Sequence, residues 1–390
     1  MKTLEYNVIN ADSVPTTTYK AAGIVAKQVE LHFKKHHQSA KQDNATKRAT
    51  IPKAAIIETI IDITFWASLR REEGRSPKIS IAYVNPENVE NPLIFGEKLK
   101  FTTHVLTKLA PAVERSGIHL GVWLYDNELY IWGTTQFIPG LCFVLEVIEP
   151  GVLVIKHRRV DGFGKFVNVA VLKGDQIKVI NEESGKVKDC PSLVNSMLGT
   201  APAAIWHNSL NLLVQLSVSM RDHGRGGILL VVPSEHDRWR ESIIHPISYA
   251  VEPAFSQLAH IYGTLEKESG LRNSNLSSAI NYLAGLTAVD GATVINSEYE
   301  LLAFGAKIGR SPEGTPVEEI LVTEPIIGIA GKVVHPVQNG GTRHLSAAQF
   351  IHDQHDAIAL VASQDGRFTI FSWAPHEGKV QAHRVDALLL

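Results

Sequence analysis

The chain has 390 residues, of which 44% are apolar and 20% charged, a composition that excludes general disorder. The formal net charge is −2, whereas proteins that bind long nucleic acids usually carry an excess of basic residues. We therefore do not expect nucleic acid as a partner. Only Cys142 and Cys190 occur, without C-x-x-C spacing, which argues against a disulfide framework or a cysteine zinc site.

The start of the chain and its hydropathy bear on location. The first residues, MKTLEYNVINADS, do not read as a signal peptide, and no apolar run approaches the roughly 20 residues of a membrane helix. Cysteine usage fits a reducing compartment. These features predict a soluble, cytoplasmic protein without a membrane partner.

The first half of the chain combines predicted helices and strands. Residues 17–48 form a polar helical stretch, in which the KKHH tetrad at 34–37 suggests metal or phosphate, although a solvated helix face is the preferred interpretation. Residues 51–74 form a second helix between a Pro start and a Gly stop. Predicted strands follow: KISIAYV, the hairpin HLGVWLYDNELYIWGTTQF with its turn at Asp126-Asn127, LCFVLEVI, GVLVIKHRR, FVNVAVLK and QIKVI. We therefore expect an α/β or α+β unit at 1–195, serving sensing or assembly.

The second half begins after a polar segment at 181–204 that contains Pro and predicts a connection between domains. A helix at 205–224 and the strand GGILLVVP follow, and then a Ser- and His-rich helical insertion at 234–285. The remaining predicted elements are the strands GATVIN and ELLAFGAKI, the helix opened by GGTRHLSAAQF, and the strands AIALVAS and RFTIFSW. We place the second unit at 205–375 and assign 376–390 as a C-terminal tail.

The two units resemble a degenerate internal repeat. ITFWASLRREEGRSPKISIAYV resembles LSVSMRDHGRGGILLVV, HLGVWLYDNELYIWG resembles VDGATVINSEYELLAFG, and VAVLKGDQIKVI resembles LVASQDGRFTIF, all in the same order. Leu120-Gly121 stands where the second unit has Asp290-Gly291, and no Thr-Arg-His follows in the first unit. A functional site is therefore expected in the second unit.

A Gly-Gly-Thr-Arg-His cluster opens the predicted helix near residue 342. Gly341 lets the backbone approach an anion, and the positive end of the helix dipole favours negative charge there. The Thr342 hydroxyl, the Arg343 guanidinium and the His344 ring add donors for phosphate oxygens. The cluster predicts a triphosphate-binding site, with an ordinary N-cap as the alternative.

An Asp-Gly-Ala step at the start of a predicted strand supplies the complementary charge. Asp290 offers a carboxylate, and Gly291 and Ala292 leave room for a ligand beside it. This arrangement suits Mg²⁺ or Mn²⁺ held next to a phosphate, with a plain turn as the alternative. Together the two motifs indicate nucleotidyl transfer.

In their order and type these motifs resemble the diadenylate cyclase (DisA_N) domain family, which joins two ATP molecules into cyclic di-AMP. The matching segments are Gly226-Gly227-Ile228-Leu229, Asp290-Gly291-Ala292, Gly341-Thr342-Arg343-His344-Leu345-Ser346-Ala347 and Ser363-Gln364, covering about 205–375. The resemblance implies a mixed-sheet α/β domain flanked by helices. By the comparison of the two halves above, we hypothesise that the preceding α/β or α+β domain is a degenerate repeat of it.

The resemblance also implies a mechanism. Two domains face each other in a homodimer or higher oligomer, each with one ATP as substrate, and the 3′-hydroxyl of one nucleotide attacks the α-phosphate of the other. Asp290 binds the metal, Mg²⁺ or Mn²⁺, and helps to activate the hydroxyl. The implied nucleotide-binding residues are Gly291, Ala292, Gly341, Thr342, Arg343, His344, Ser363 and Gln364.

Two positions depart from the family pattern. Leu345 stands in place of a second Arg, which removes a phosphate-binding cation, and Gln364-Asp365 replaces a Glu pair, as in the DNA-scanning branch of the family. The first departure leaves a second hypothesis open, in which the domain binds ATP or cyclic di-AMP as a sensor without catalysis.

Overall fold

The computed structural model describes residues 17–40, 48–159, 166–186, 188–199, 208–265 and 273–390. The chain divides into two compact units, the first comprising Met1–Val160 with Val169–Ile177 and the second Asp161–Asn168 with Lys178–Leu390. The boundary predicted at 195 therefore falls inside the second unit.

The helices of the described residues lie before and between the strands. They are α1 (Lys20–Ala40), α2 (Ala54–Ser68), α3 (Thr103–Leu109), α4 (Ser192–Leu198), α5 (Asn208–Asp222), α6 (Gln257–Leu265), α7 (Asn273–Leu286) and α8 (Thr342–Asp353). Within the described part of the chain, no helix is both long enough and apolar enough to cross a membrane.

The strands form two mixed sheets, which confirms the predicted α/β class. They are β1 (Ser80–Tyr83), β2 (Leu93–Lys100), β3 (His119–Tyr125), β4 (Glu128–Thr135), β5 (Phe143–Glu149), β6 (Val152–Arg158), β7 (Phe166–Lys173), β8 (Gln176–Val179), β9 (Gly227–Val232), β10 (Tyr249–Phe255), β11 (Ala292–Asn296), β12 (Leu301–Ala306), β13 (Ile320–Thr323), β14 (Lys332–Val334), β15 (Ile358–Ala362), β16 (Phe368–Ala374) and β17 (Lys379–Arg384).

The two sheets share one strand order over seven strands. The first sheet runs β2-β4-β3-β1-β5-β6-β7-β8, and the second runs β10-β12-β11-β9-β15-β16-β17-β13-β14. In both, the two central strands β1 and β3, or β9 and β11, are parallel, and their outer neighbours are antiparallel. This common order supports the internal repeat that the sequence suggested.

The third pair of the proposed repeat needs correction. The sequence matched the hairpin β7–β8 to the hairpin β15–β16, but the strand order makes β5–β6 the counterpart of β15–β16. Two apolar segments across a short turn look alike in any hairpin, so only the strand neighbours distinguish them. The segments that correspond are FVLEVIE with VLVIKHR and IALVA with FTIFSWA.

The second unit contains an insertion that the first unit lacks. Between β4 and β5 the first unit has only a short connection, whereas β13, β14 and α8 lie between β12 and β15 in the second. α8 carries the Thr-Arg-His motif, and the described residues of the first unit contain no counterpart of this helix.

Two segments were assigned wrongly from sequence. The predicted tail at 376–390 contains β17, which pairs antiparallel with β16 and parallel with β13 inside the second sheet. The predicted helical insertion at 234–285 contains β10, an edge strand paired with β12. β10 has the sequence YAVEPAF, whose internal Pro disfavours a strand except at an edge, so its pattern was missed.

Local sequence explains the elements that were predicted well. Asp126 and Asn127 both have positive φ values, 47° and 64°, as the tight turn between β3 and β4 requires, and these residue types tolerate that conformation. Helix α2 buries Ile57, Ile60 and Ile61, spaced three and four apart, against the first sheet. These buried faces fix the order of the elements in the first unit.

One apolar cluster of the second unit lies between its sheet and α8. Ala347, Phe350 and Ile351 of α8 pack on residues of β9, β11 and β15 such as Leu230 and Val294, and all of these side chains are buried. Burial of this apolar face fixes the rotation of α8 about its axis. The opposite face of its first turn is thereby directed at the sheet edge where β9 and β11 begin.

Candidate functional site

The strand registers bring the ends of four strands of the second sheet to one edge. Ala292 at the start of β11 pairs with Ile228 at the start of β9 and with Ala306 at the end of β12. Gly227 pairs with Ala362 at the end of β15. Asp290 and Gly291, which precede β11, therefore lie beside the residues that follow β12.

A cavity of about 270 Å³ opens at this edge. It is lined by Ile228, Ile244, Asp290, Gly291, Ala292, Ala306, Lys307, Ile308, Thr342, Arg343 and Ser346. The cavity thus brings together the Asp-Gly-Ala and Thr-Arg motifs, which are about fifty residues apart in sequence, and it adds a lysine that neither motif contains.

Two glycines shape this edge. Gly291 has φ +119°, and a Cβ there would lie 2.5 Å from the carbonyl carbon of Gly305, so a side chain would push β11 away from β12. Gly226 has φ +71°, and a Cβ there would lie 2.8 Å from Nη1 of Arg343. Glycine at 226 therefore makes room for the guanidinium beside the start of β9.

Asp290 is an ionised carboxylate at the mouth of the cavity. Its side chain is 91% exposed, and the ammonium of Lys307 donates a hydrogen bond to its Oδ2. That hydrogen bond, followed by the charge of Lys307 and a smaller effect of Arg343, holds the pKa of Asp290 below its ordinary value. The group is therefore charged throughout the neutral pH range.

The residues of the cavity fit a hard divalent cation whose coordination shell is completed by a bound ligand. Among the described residues that line it, Asp290 is the one carboxylate. Mg²⁺ typically takes one or two protein carboxylates and draws its other ligands from water and substrate phosphates. An exposed, ionised carboxylate facing phosphate-binding groups matches this pattern, and it does not match a closed protein-only metal site.

The first turn of α8 faces the same space. Its N-cap is Gly341 in an extended conformation without a side-chain cap, which leaves the first backbone N–H groups accessible to a ligand. Thr342 and Ser346 are four residues apart and both line the cavity, as one face of a helix requires. Leu345 packs partly buried against the core of the unit instead.

The structure buries His344, which the sequence predicts as a phosphate ligand. Its side chain is 3% exposed, its Nε2 lies 3.2 Å from the Thr369 hydroxyl, and its ring packs edge-on against Phe371. Burial lowers the pKa of His344 to about 4, so the ring is neutral at pH 7. Its ring points into the core and packs the start of α8 against Thr369 and Phe371, and its contact with phosphate stays a prediction.

Ser363 and Gln364 lie at the same sheet edge but outside the lining of the cavity. They form the turn between β15 and β16, in which Ser363 N–H donates to the Arg367 carbonyl at 2.9 Å. Gly366 N–H closes the turn on the Ser363 carbonyl at 3.2 Å. Of the predicted site residues, the structure thus gathers Asp290, Gly291, Ala292, Thr342 and Arg343 around one space, with Gly341 capping the adjoining helix.

Sequence reasoning missed Lys307 and Ser346. Lys307 follows β12 directly, and its position beside Asp290 depends on the pairing of Ala306 with Ala292. Ser346 shares a helix face with Thr342, so helical spacing from the motif was a usable signal. For Lys307, the usable signal was the predicted pairing of β11 with β12. In such a hairpin, a residue that follows the second strand lies beside the residues that precede the first strand.

A larger cavity lies elsewhere in the second unit. It measures about 750 Å³ between α6 and α7, and its lining includes Ser256, His260 and Tyr282. None of its described lining residues is Asp, Glu, Lys or Arg. We assign the chemistry to the smaller cavity, because convergent charged groups and not volume identify a site for phosphate and metal.

Comparisons with known proteins cover parts of the chain. Residues 46–136 match the family model described as "Probable sensor domain DACNV". No curated protein matches. Similar solved structures include a hypothetical membrane spanning protein from Bacillus cereus, at 13% identity over 48% of this chain and 67% of that one, with a TM-score of 0.25. They also include a double mutant of DacA from Staphylococcus aureus, at 15% identity over 45% of this chain and 85% of that one, with a TM-score of 0.24. Likenesses of this size say nothing about the activity of this chain.

Proposed function

We propose that the second unit is a diadenylate cyclase that forms cyclic di-AMP from two ATP molecules. The observation that carries the proposal is that Asp290 and Arg343, from two distant motifs, line one cavity together with Thr342 and Lys307. One carboxylate for a metal ion and three phosphate-binding groups in one space are what nucleotidyl transfer needs.

The start of α8 would hold the triphosphate. The Thr342 hydroxyl and the backbone N–H groups of the first turn donate to phosphate oxygens, and the helix dipole favours their negative charge. The Arg343 guanidinium, lodged beside Gly226, offers two parallel donors to one phosphate. His344 contributes indirectly by fixing the first turn through Thr369.

Asp290 and Lys307 would act together next to the α-phosphate. When bound, Mg²⁺ or Mn²⁺ supplies charge neutralisation to the phosphates, and Asp290 is its protein ligand. Lys307 keeps Asp290 ionised and adds a positive charge at the mouth of the cavity. In this position Lys307 supplies a positive charge in place of the arginine that Leu345 replaces.

The reaction requires a second nucleotide. The 3′-oxygen of one ATP bonds to the α-phosphorus of the other, the bond to the β-phosphate oxygen breaks, and pyrophosphate leaves while the hydroxyl proton passes to Asp290 or solvent. Repeating the step in the opposite direction closes the ring. Within the part of the first unit that the structure describes, no helix is equivalent to α8, so we propose that the second ATP is held by another copy of this chain.

The match of residues 46–136 to a probable sensor domain supports a regulatory role for the first unit. In this proposal the protein is a cyclase with an N-terminal sensor. A second candidate function is favoured by one observation, the leucine at 345. With that position apolar and packed on the core, the unit would bind ATP or cyclic di-AMP without joining two nucleotides.

The two candidates are separated by incubating the purified protein with ATP and either Mn²⁺ or Mg²⁺ and identifying the products by mass. The cyclase proposal expects cyclic di-AMP and pyrophosphate in a ratio of one to two. ATP binding by calorimetry without any product would favour the binding role. Absence of both ATP binding and product would refute the site itself.

A further inference from the structure

Three histidines of the first unit converge on one point that the nucleotide site does not use. His32 and His36 lie on α1, and His157 lies near the end of β6. The ring centroids are 4.4 Å apart for His32 and His36, 5.3 Å for His32 and His157, and 4.9 Å for His36 and His157. Their ligand nitrogens all lie within 4.8 Å of one another.

Helical spacing explains why two of these rings share a face. Ala22, Val29 and Phe33 of α1 are fully buried, and they form a stripe with spacings of four and seven residues that packs on the unit. His32 and His36 flank Phe33 and extend that stripe by one turn. The KKHH tetrad therefore does not form a uniformly solvated helix face as the sequence favoured, because its first histidine points towards β6.

A backbone carbonyl fixes the orientation of the His157 ring. His157 is 4% exposed, and its Nδ1 lies 3.2 Å from the carbonyl oxygen of Arg158. Donation from Nδ1 to this carbonyl makes Nε2 the nitrogen with the lone pair. A metal-ligating histidine is commonly held by such a bond from its other ring nitrogen to a backbone carbonyl.

We infer that His32, His36 and His157 form a binding site for a divalent transition metal ion of the Zn²⁺ type. Imidazole nitrogens suit Zn²⁺ and its neighbours, and two histidines four residues apart on a helix are a recurrent half of such sites. These three histidines supply three of the ligands that a tetrahedral ion needs. A Zn–N length of about 2.0–2.1 Å puts ligand nitrogens about 3.3 Å apart, which small side-chain rotations reach.

The site is distinct in chemistry from the nucleotide cavity. Mg²⁺ and Mn²⁺ prefer oxygen ligands, whereas three imidazoles select the softer ions. Zn²⁺ binding is therefore measurable without ATP, and its outcome is independent of whether the second unit is a cyclase. The three histidines also lie outside residues 46–136, so the sensor-domain match does not assign them.

The test uses the full chain, stripped of metal with a chelator and titrated with Zn²⁺ by calorimetry. Because the chain has 17 histidines, binding is compared between variants and not judged from the wild type alone. His36→Gln and the double variant His32→Gln/His36→Gln remove ligands on a partly exposed helix face. His104→Gln, an exposed histidine of α3 in the same unit, is the matched control.

We expect one equivalent of Zn²⁺ in the wild type and in His104→Gln, at least about ten-fold weaker binding in His36→Gln, and loss of that equivalent in the double variant. Co²⁺ in place of Zn²⁺ should give visible absorption bands of a tetrahedral site in the wild type and the control only. Thermal melts without metal establish that each variant is folded. Equal Zn²⁺ uptake by all four proteins, whether none or several equivalents, would overturn the inference.

Discussion

Lys307 donates a hydrogen bond to Oδ2 of Asp290 at the point where β11 begins and β12 ends. Asp290 is the proposed metal ligand, so the cation beside it matters in two ways. It keeps the carboxylate ionised to a lower pH than an ordinary aspartate, and it places a positive charge where a triphosphate would lie. The pair joins the metal-binding and phosphate-binding parts of the candidate site.

Replacing Lys307 should therefore change the pH dependence of product formation. The pKa of Asp290 is lowered chiefly by the Lys307 hydrogen bond, so Lys307→Ala returns it towards its ordinary value. Protonation then begins at a higher pH, and the acid limb of the activity profile should move upwards. Lys379→Ala, which removes a lysine paired with Glu319 away from the cavity, is the control and should leave the limb in place. An identical acid limb in both variants would show that Lys307 does not set the protonation of Asp290 during turnover.

Arg343 should contribute directly to ATP affinity. Arg343→Ala removes a charge-assisted contact to phosphate and is expected to weaken ATP binding by about 1.5–3 kcal/mol, roughly ten- to hundred-fold. Calorimetric titration with ATP measures this loss. Arg238→Ala is the matched control, because Arg238 pairs with Asp356 at the other end of β9 and β15. Unchanged affinity in Arg343→Ala would remove this arginine from the phosphate site.

The sequence located most of this site because its motifs lie at strand and helix ends. Asp290 precedes a predicted strand and Thr342 opens a predicted helix, and both of these ends line the cavity. The burial of His344 was not predictable, because membership of a motif does not tell which side of a first helical turn a residue faces. Its orientation follows from the burial of α8 against Phe371 and its neighbours.

Features that depend on pairing between distant segments were not predictable from local patterns. The neighbour relationship of Lys307 and Asp290 rests on the register of β11 and β12. The meeting of His36 with His157 rests on how α1 packs over β6, and the two are far apart in sequence. The internal repeat was visible in the order of elements, but its last hairpin was misplaced because hairpins look alike until their sheet neighbours are known.

Leu345 provides a test between catalysis and binding alone. The side chain packs against the core and lies outside the lining of the cavity, so an arginine there must extend past Ser346 to reach a phosphate. If Lys307 already supplies the needed cation, Leu345→Arg should change turnover only modestly in either direction. A large rise in cyclic di-AMP synthesis from an almost silent wild type would instead support the binding role.

Buried neutral histidines should make the fold sensitive to mild acid. Burial lowers the pKa values of His119, His344 and His383 to about 4, below the ordinary value of 6.5. As pH falls from about 6.5 towards 4, the unfolded chain takes up protons that the folded chain does not, so stability is full above pH 6.5 and declines through this window. Melting temperature measured against pH should show this decline.

A single substitution checks the origin of that decline. His344→Gln removes one of these proton-linked groups and should flatten the dependence of melting temperature on pH between 6.5 and 4. The exposed His104→Gln should leave it as steep as in the wild type. A slope that is the same in both variants would contradict the neutral, buried state assigned to His344.

The most direct test of the cyclase account is the rate of cyclic di-AMP formation by Asp290→Asn compared with Asp237→Asn, at matched ATP and Mn²⁺ concentrations. Both substitutions remove one exposed carboxylate, but Asp237 follows β9 at its other end and lies outside the cavity. The account predicts that Asp290→Asn is folded and makes no detectable product, whereas Asp237→Asn turns over like the wild type. Full turnover by Asp290→Asn, or no product from the wild type, would contradict it.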